Sequence, residues 1–188
     1  MKRTARFASA RCLAGASLLA GAWLALPCAA QPPPPGQVAA SAIVDYKKLL
    51  PILPEPPEDW TAQPAEGSTD DLGETQIATV HRDYQKGTAD DAPTTSISIL
   101  DAAANPDYVE ATTGGWTSES SDAEGYSKPL TIEGLPGFET FENDGKHGTL
   151  WVIVAKRYIL QIDTTGLDPS ELQAWLKRVD LKKLAEVK

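Results

Sequence analysis

The sequence is poor in sulfur, in imidazole and in positive charge. It has two cysteines, Cys12 and Cys28, two histidines, His81 and His147, and a single methionine at position 1. Both cysteines fall in the first 30 residues, and the two histidines that remain cannot make a four-ligand zinc site without carboxylates. The histidines lie 66 positions apart, outside any HxxxH or HExxH pattern, and read as strand-face and turn-edge side chains. GxSxG is missing, so a serine hydrolase would have no nucleophile elbow. GxxxxGK[ST] and GxGxxG, the phosphate-cradling loops, are missing too. No cofactor or metal is expected. Lys+Arg number 17 against 26 Asp+Glu, a formal charge of -9. That balance argues against a general nucleic-acid binder, which needs clustered cations to neutralise phosphates.

What is present is ordinary for a globular chain: 188 residues, 41% hydrophobic and 23% charged, enough for one domain with a tail. The two ends differ. Residues 1–30 carry Lys2, Arg3, Arg6 and Arg11, then the uncharged run Leu13 to Leu26, then Pro27 and Cys28-Ala29-Ala30. This is the pattern of a secretory signal peptide cleaved after Ala30. The 14-residue apolar run is too short to span a bilayer comfortably as a helix. Cys28 raises the alternative of a lipid anchor, but Pro27 stands where a lipoprotein signal places a small residue. Cleavage after Ala30 removes both cysteines, so the mature chain has neither a disulfide nor a thiol. It must rely on its core.

Gln31-Pro32-Pro33-Pro34-Pro35-Gly36 predicts an extended spacer, and Val38 to Leu50 follows helical spacing, ending at Pro51. Residues 31–48 thus read as a Pro-rich spacer and N-terminal helix, and residues 49–188 as a single α+β domain. Trp60, after Pro54, Pro56 and Pro57, is expected to anchor in the core. Six strand signals follow. Gln76 to Gln85 alternates, with Ala78, Val80, Arg82 and Tyr84 on one face, and Thr94 to Leu100 is rich in β-branched residues. Leu130 and Ile132 mark a short strand, Gly134-Leu135-Pro136-Gly137 a turn, and Phe138 and Phe141 the next strand. Thr149 to Ala155 and Tyr158 to Asp163 are apolar runs that read as a central hairpin about Lys156-Arg157.

Helix signals are fewer. Asn105-Pro106 predicts a capped helix ending at Gly114-Gly115, and Thr112 to Ser127 then reads as a long surface loop. Asp168-Pro169-Ser170-Glu171 predicts another helix start, with Asp168 capping and Leu172, Trp175, Leu176 and Val179 forming a sheet-facing stripe. Asp180 begins a short third helix. Thr140 to Gly145 superficially matches a calcium loop, but Trp151 sits where the bidentate Glu belongs, so Asn143-Asp144-Gly145-Lys146 reads as a hairpin turn.

Charge is unevenly placed. Between Glu55 and Asp144 there are 20 acidic and three basic residues, net -17; from Gly145 to Lys188 the net is +3. This predicts a solvated acidic surface, or a face for cations or a basic partner. Trp116 is the one candidate contact residue. Thr112-Thr113-Gly114-Gly115 before it and Thr117-Ser118-Glu119 after it offer nothing apolar. Its indole therefore either folds back onto the core or offers a stacking platform to a ligand or partner.

The order of these elements, from the Pro-rich approach to Trp60 through the Gly134-Leu135-Pro136-Gly137 turn to Val179-Asp180-Leu181-Lys182-Lys183-Leu184, resembles a group of exported bacterial proteins. Their layout is distantly similar to the Mog1/PsbP/DcrB-like α/β sandwich. That resemblance implies an antiparallel sheet of about six strands flanked by helices. It also implies a non-enzymatic binding or assembly role toward an unidentified protein or small molecule. The alternative is a periplasmic hydrolase using carboxylates on the acidic face.

Overall fold

The computed structural model describes residues 42–72 and 75–188. The expected signal peptide, Cys28 and the Pro-rich stretch lie outside the described residues, as does the first part of the helix expected over 38–50. Nine strands form one antiparallel sheet: β1 (Trp60–Ala62), β2 (Glu66–Leu72), β3 (Thr75–Lys86), β4 (Thr94–Asp101), β5 (Ser120–Ser121), β6 (Gly125–Ile132), β7 (Leu135–Glu142), β8 (His147–Val154) and β9 (Tyr158–Thr165). The order is β1-β3-β4-β9-β8-β7-β6-β5, with β2 also on β3. Among the described residues three short α-helices accompany the sheet, an α+β arrangement: α1 (Pro106–Thr113), α2 (Ser170–Leu176) and α3 (Leu181–Glu186). No helix among the described residues is long and apolar enough to cross a membrane.

The sheet is thus larger than the six strands expected. β1, β2 and β5 are the additions, and their sequences explain why. β2 reads Glu-Gly-Ser-Thr-Asp-Asp-Leu, with no apolar alternation, and joins the sheet through a seven-pair ladder with β3. β5 is two serines long. The surface loop expected over 112–127 is accordingly interrupted, since β5 lies in it and β6 begins at Gly125. The turn expected at residues 134–137 is confined to Glu133-Gly134, both at positive φ, while Leu135, Pro136 and Gly137 are already strand. Pro136 is placed opposite Thr131, near the start of β7.

One face of the sheet carries the main core. Alternate residues of the central strands point into it: Ile97 and Ile99 from β4, Leu160 and Ile162 from β9, Leu150 and Val152 from β8. Leu172, Trp175, Leu176 and Val179 cover them, as the helical stripe predicts, and Leu181 and Leu184 of α3 extend the layer. Gly148 makes this seat possible, because a Cβ there would lie 2.9 Å from Leu172 Cδ1. The N-terminal approach adds Val44, Leu49, Ile52 and Leu53. Instead of one helix ending at Pro51, Tyr46–Lys48 and Leu50–Ile52 form two separate 3₁₀ turns, with Pro51 inside the second. Proline fits the first turn of such a segment, where no backbone N–H is needed.

Local signals behave physically. Asn105 Oδ1 accepts from the Tyr108 N–H and caps α1, and the Asp180 carboxylate does the same for α3 through the Lys183 N–H. Asp168 does not cap α2; its Oδ1 takes Lys146 Nζ at 2.8 Å instead. The β8–β9 turn has Ala155 at φ 51° and Lys156 at φ 56°, the backbone of a type I′ turn made without Gly or Asn. Arg157, next in the chain, is clamped by Asp101, which holds this turn in place.

Candidate functional site

Among the described residues, Asp101, Glu139 and Asp163 each centre a buried or half-buried cluster, and the first two are latches. Asp101 is fully buried. Its Oδ1 accepts from Arg157 Nε at 2.9 Å and from the Ala103 N–H, and its Oδ2 accepts from Arg157 Nη2 and from the Val44 N–H at 2.8 Å. Arg157 Nη2 also reaches Ala42 O. The pair ties the N-terminal approach to β4 and the central hairpin. Glu139, 3% exposed, accepts from Tyr126 Oη at 2.6 Å, Lys128 Nζ at 3.3 Å and Gln173 Nε2 at 2.8 Å. It fastens α2 to β6 and β7. Burial, reinforced by the hydrogen bond to Glu139 and its charge, pushes the Tyr126 phenol far up. Both carboxylates are saturated by protein donors, as buried charges must be.

The third cluster lies on the opposite face, where α1 is the covering helix among the described residues. Strand register sets out this face in rows. One row runs Thr140, Thr149, Asp163, Ser96, Asp83 across β7, β8, β9, β4 and β3; the next runs Phe138, Trp151, Gln161, Ser98, His81. Asp163 sits at the centre. Its Oδ1 accepts from Thr149 Oγ1 and its Oδ2 from Gln161 Nε2, both at 2.7 Å. Asp83 is exposed and makes no side-chain hydrogen bond or ion pair among the described residues.

A cavity of about 340 Å³ opens here. Four neighbouring strand positions each give two side chains to it: Thr61 and Gln63, Asp83 and Gln85, Thr94 and Ser96, Asp163 and Thr165. Tyr84 and Thr95, whose side chains point to the core face, contribute to its floor. The lining is hydroxyl, amide and carboxylate, without a Lys or Arg.

Trp116 reaches the same face at its other end. Its indole is half-buried and packs on Ala102, Val109, Ile153 and Ile159, which form a second, smaller core under α1. It has therefore folded back onto apolar groups. It also begins an aromatic series: its ring stacks on Phe138 at 6.0 Å and 12°, and Phe138 lies 6.4 Å from Trp151. Trp151 is the cross-strand partner of Gln161, so the series adjoins the polar cavity through the Asp163 cluster. The register between β7, β8 and β9 creates this adjacency, which residue types in separate segments do not reveal. The available signal was the alternation of Ser96 and Ser98 with Ile97 and Ile99, which marks one face of β4 as small and polar.

The histidines stay apart: His81 Nε2 lies 3.9 Å from Glu66, and His147 Nδ1 is 3.3 Å from Thr165 Oγ1. No group of three or more His, Cys, Asp or Glu that could hold a metal ion occurs among the described residues. Asn143 to Lys146 is a tight turn, with Gly145 at φ 68°. Comparison with protein-family models, curated proteins and solved structures gives no match for this chain.

Proposed function

We propose that the protein is an exported, soluble, non-enzymatic binding or envelope-assembly factor of the periplasm or extracellular space, and that the open face of the sheet is its binding surface. The observation that carries this reading is the contrast within one sheet. Helices and the N-terminal approach cover one face, while the other presents a polar cavity beside a half-buried aromatic series. Ligand sites are usually preformed concave clefts in which apolar or aromatic surface lies beside a few placed polar groups. The expected signal peptide, residues 1–30, supplies the compartment, with Gln31 as the new N-terminus and a lipid at Cys28 as the alternative anchor.

The hydrolase reading has one observation in its favour. Asp83 and Asp163 share a row two strands apart, about 10 Å by strand spacing, near the separation of an inverting carboxylate pair. Against it, both Asp163 oxygens are engaged by Thr149 and Gln161, which leaves the carboxylate fixed rather than poised to take or give a proton. Binding is the better use of this geometry.

A photo-crosslinking residue at Ser98, compared with one at Lys177 on the helical side, tests the proposal in cells. Adducts at Ser98 and not at Lys177 support the open face. Adducts at Lys177 alone, or none at Ser98, overturn it. Turnover in a hydrolase screen that is abolished by Asp83→Asn or Asp163→Asn would replace binding with catalysis.

A further inference from the structure

We infer that the open face takes a neutral glycan: an extended chain of β-linked hexose or N-acetylhexosamine units laid across the strands from the aromatic series into the polar cavity. This rests on the reading of that face as the binding surface.

Exclusion narrows the ligand first. The cavity has no cationic side chain, so a phosphate, sulfate or carboxylate ligand would meet Asp83 and Asp163 with nothing to neutralise it. An apolar ligand would strand the hydroxyls and amide of Gln63, Thr94 and Ser96 without water or partner. A polycation would use the carboxylates, but the Asp163 oxygens already accept hydrogen bonds from Thr149 and Gln161. Asp83 is then the one carboxylate of the cavity free of side-chain partners. One charge among neutral groups, of which Gln63, Thr94 and Ser96 make no side-chain hydrogen bond among the described residues while Thr61, Gln85 and Thr165 make one each, suits a polyhydroxylated molecule.

Positive features agree. Sugars present hydroxyl edges and a C–H face. The edges match hydroxyl, amide and carboxylate groups, and the C–H face matches an aromatic ring that is apolar and rigid. Both surfaces occur here on one face, joined through the Trp151–Gln161 pair and the Gln161–Asp163 hydrogen bond. The rows also run perpendicular to the strands, with a polar side chain about every 4.8 Å. That repeat is comparable with the rise per sugar of an extended β-linked chain, so successive units meet successive strands. Asp163 holds the Thr149 and Gln161 side chains in place, so the surface around it costs little ordering on binding.

The test uses the mature chain, with cellohexaose, chitohexaose and laminarihexaose as probes and spermidine as the cationic comparison. Calorimetry measures affinity and tryptophan fluorescence reports contact with the aromatic series. At least one hexamer should bind saturably with a change in tryptophan emission. Asp83→Ala should weaken it about tenfold or more, the loss of a charge-assisted hydrogen bond. Ser96→Phe should fill the cavity and abolish binding while circular dichroism stays native. If that variant misfolds, the exposed Asp83→Ala decides. Hexamer binding untouched by these variants overturns the site. Binding of spermidine but of no hexamer overturns the glycan class. If no hexamer binds while Ser98 still crosslinks in cells, the glycan inference falls and the binding face stands. If Ser98 gives no adduct either, both fall.

Discussion

The two faces of the sheet are written by alternate residues of the same strands, yet they have opposite characters. In β4, Thr95, Ile97, Ile99 and Asp101 are buried beneath the C-terminal helices and the N-terminal approach, whereas Ser96, Ser98 and Leu100 are only half-covered. β9 repeats the contrast beyond Ile159, which is buried under α1: Tyr158, Leu160, Ile162 and Thr164 on one side, Gln161 and Asp163 on the other. An antiparallel sheet tolerates this because only one face needs a covering layer. Most of the core therefore lies on the covered face, with the small cluster of Ala102, Val109, Ile153 and Ile159 under α1 on the other. The open face is free to carry polar groups whose arrangement folding does not dictate. Removing side chains from each face in turn tests that division.

The largest effect is expected at Trp175. Its ring is 2% exposed, sits edge-on to Trp60 at 4.9 Å and lies 4.6 Å from Tyr84. Trp175→Ala should destabilise by about 3–5 kcal/mol in denaturant titration. Ser98→Ala, on the open face, should stay within about 0.5 kcal/mol of the parent. Comparable losses at both sites would break the comparison.

Alkaline pH probes the covered face without mutation. Tyr84 donates its hydroxyl to Pro54 O at 2.8 Å, and burial pushes its phenol up to about 12, against the lowering influence of Arg82. Burial likewise raises Tyr158, whose hydroxyl donates to Val187 O at 2.9 Å. A phenol that holds its proton in the fold and loses it earlier when unfolded stabilises fully below pH 10. Above pH 10 the unfolded chain binds fewer protons, so stability falls as pH climbs toward about 12. For Tyr84 the loss is on the order of 2 kcal/mol. Absorbance at the tyrosinate band should show Tyr84 and Tyr158 titrating late, in step with unfolding. Early, reversible titration of all five tyrosines would place these phenols in solvent.

The same division explains what the sequence reveals. Residues that answer to the core announce themselves: the β3 and β4 alternation, the β8–β9 hairpin and the Leu172/Trp175/Leu176/Val179 stripe are all apolar patterns with a period. β2 has no such pattern, because Glu66, Ser68, Thr69, Asp70 and Asp71 bury little and join by backbone pairing. Its acidic side chains instead guard an exposed sheet edge, as Lys128 and Pro129 do on β6 at the other side. The failed cap at Asp168 has a different cause, since Lys146 from the preceding hairpin competes for its carboxylate. At the candidate site, Trp116 stood out because its neighbours are polar. Phe138, Trp151, Gln161 and Asp163 did not, because their meaning lies in cross-strand register, and single segments do not carry it.

Trp116 tests where the two faces meet. It belongs to the small core under α1 and also to the aromatic series of the open face. Half-burial should limit the cost of Trp116→Ala to about 2 kcal/mol, below that of a fully buried ring. Trp116→Phe should recover most of that stability through the stack on Phe138. If the alanine variant is as stable as the parent, the α1 corner contributes nothing to the fold and Trp116 is purely a surface group.

The smallest effect has the opposite sign. Thr95 lies on the covered face of β4, 1% exposed, between Tyr84 of β3 and Thr164 of β9. Its Oγ1 is the one buried side-chain polar atom without a hydrogen-bond partner among the described residues. Thr164, its neighbour, donates to Gly148 O at 3.4 Å. Valine replaces threonine with nearly the same shape and equal suitability for a strand, and exchanges an unsatisfied hydroxyl for a methyl. Thr95→Val should therefore stabilise by about 1 kcal/mol, seen as a higher denaturant midpoint at unchanged slope. Thr164→Val gives up an existing, if long, hydrogen bond and should gain nothing. A loss of stability in Thr95→Val would mean that its hydroxyl is satisfied in solution. The floor of the polar cavity would then be wet from the core side as well as from the open face.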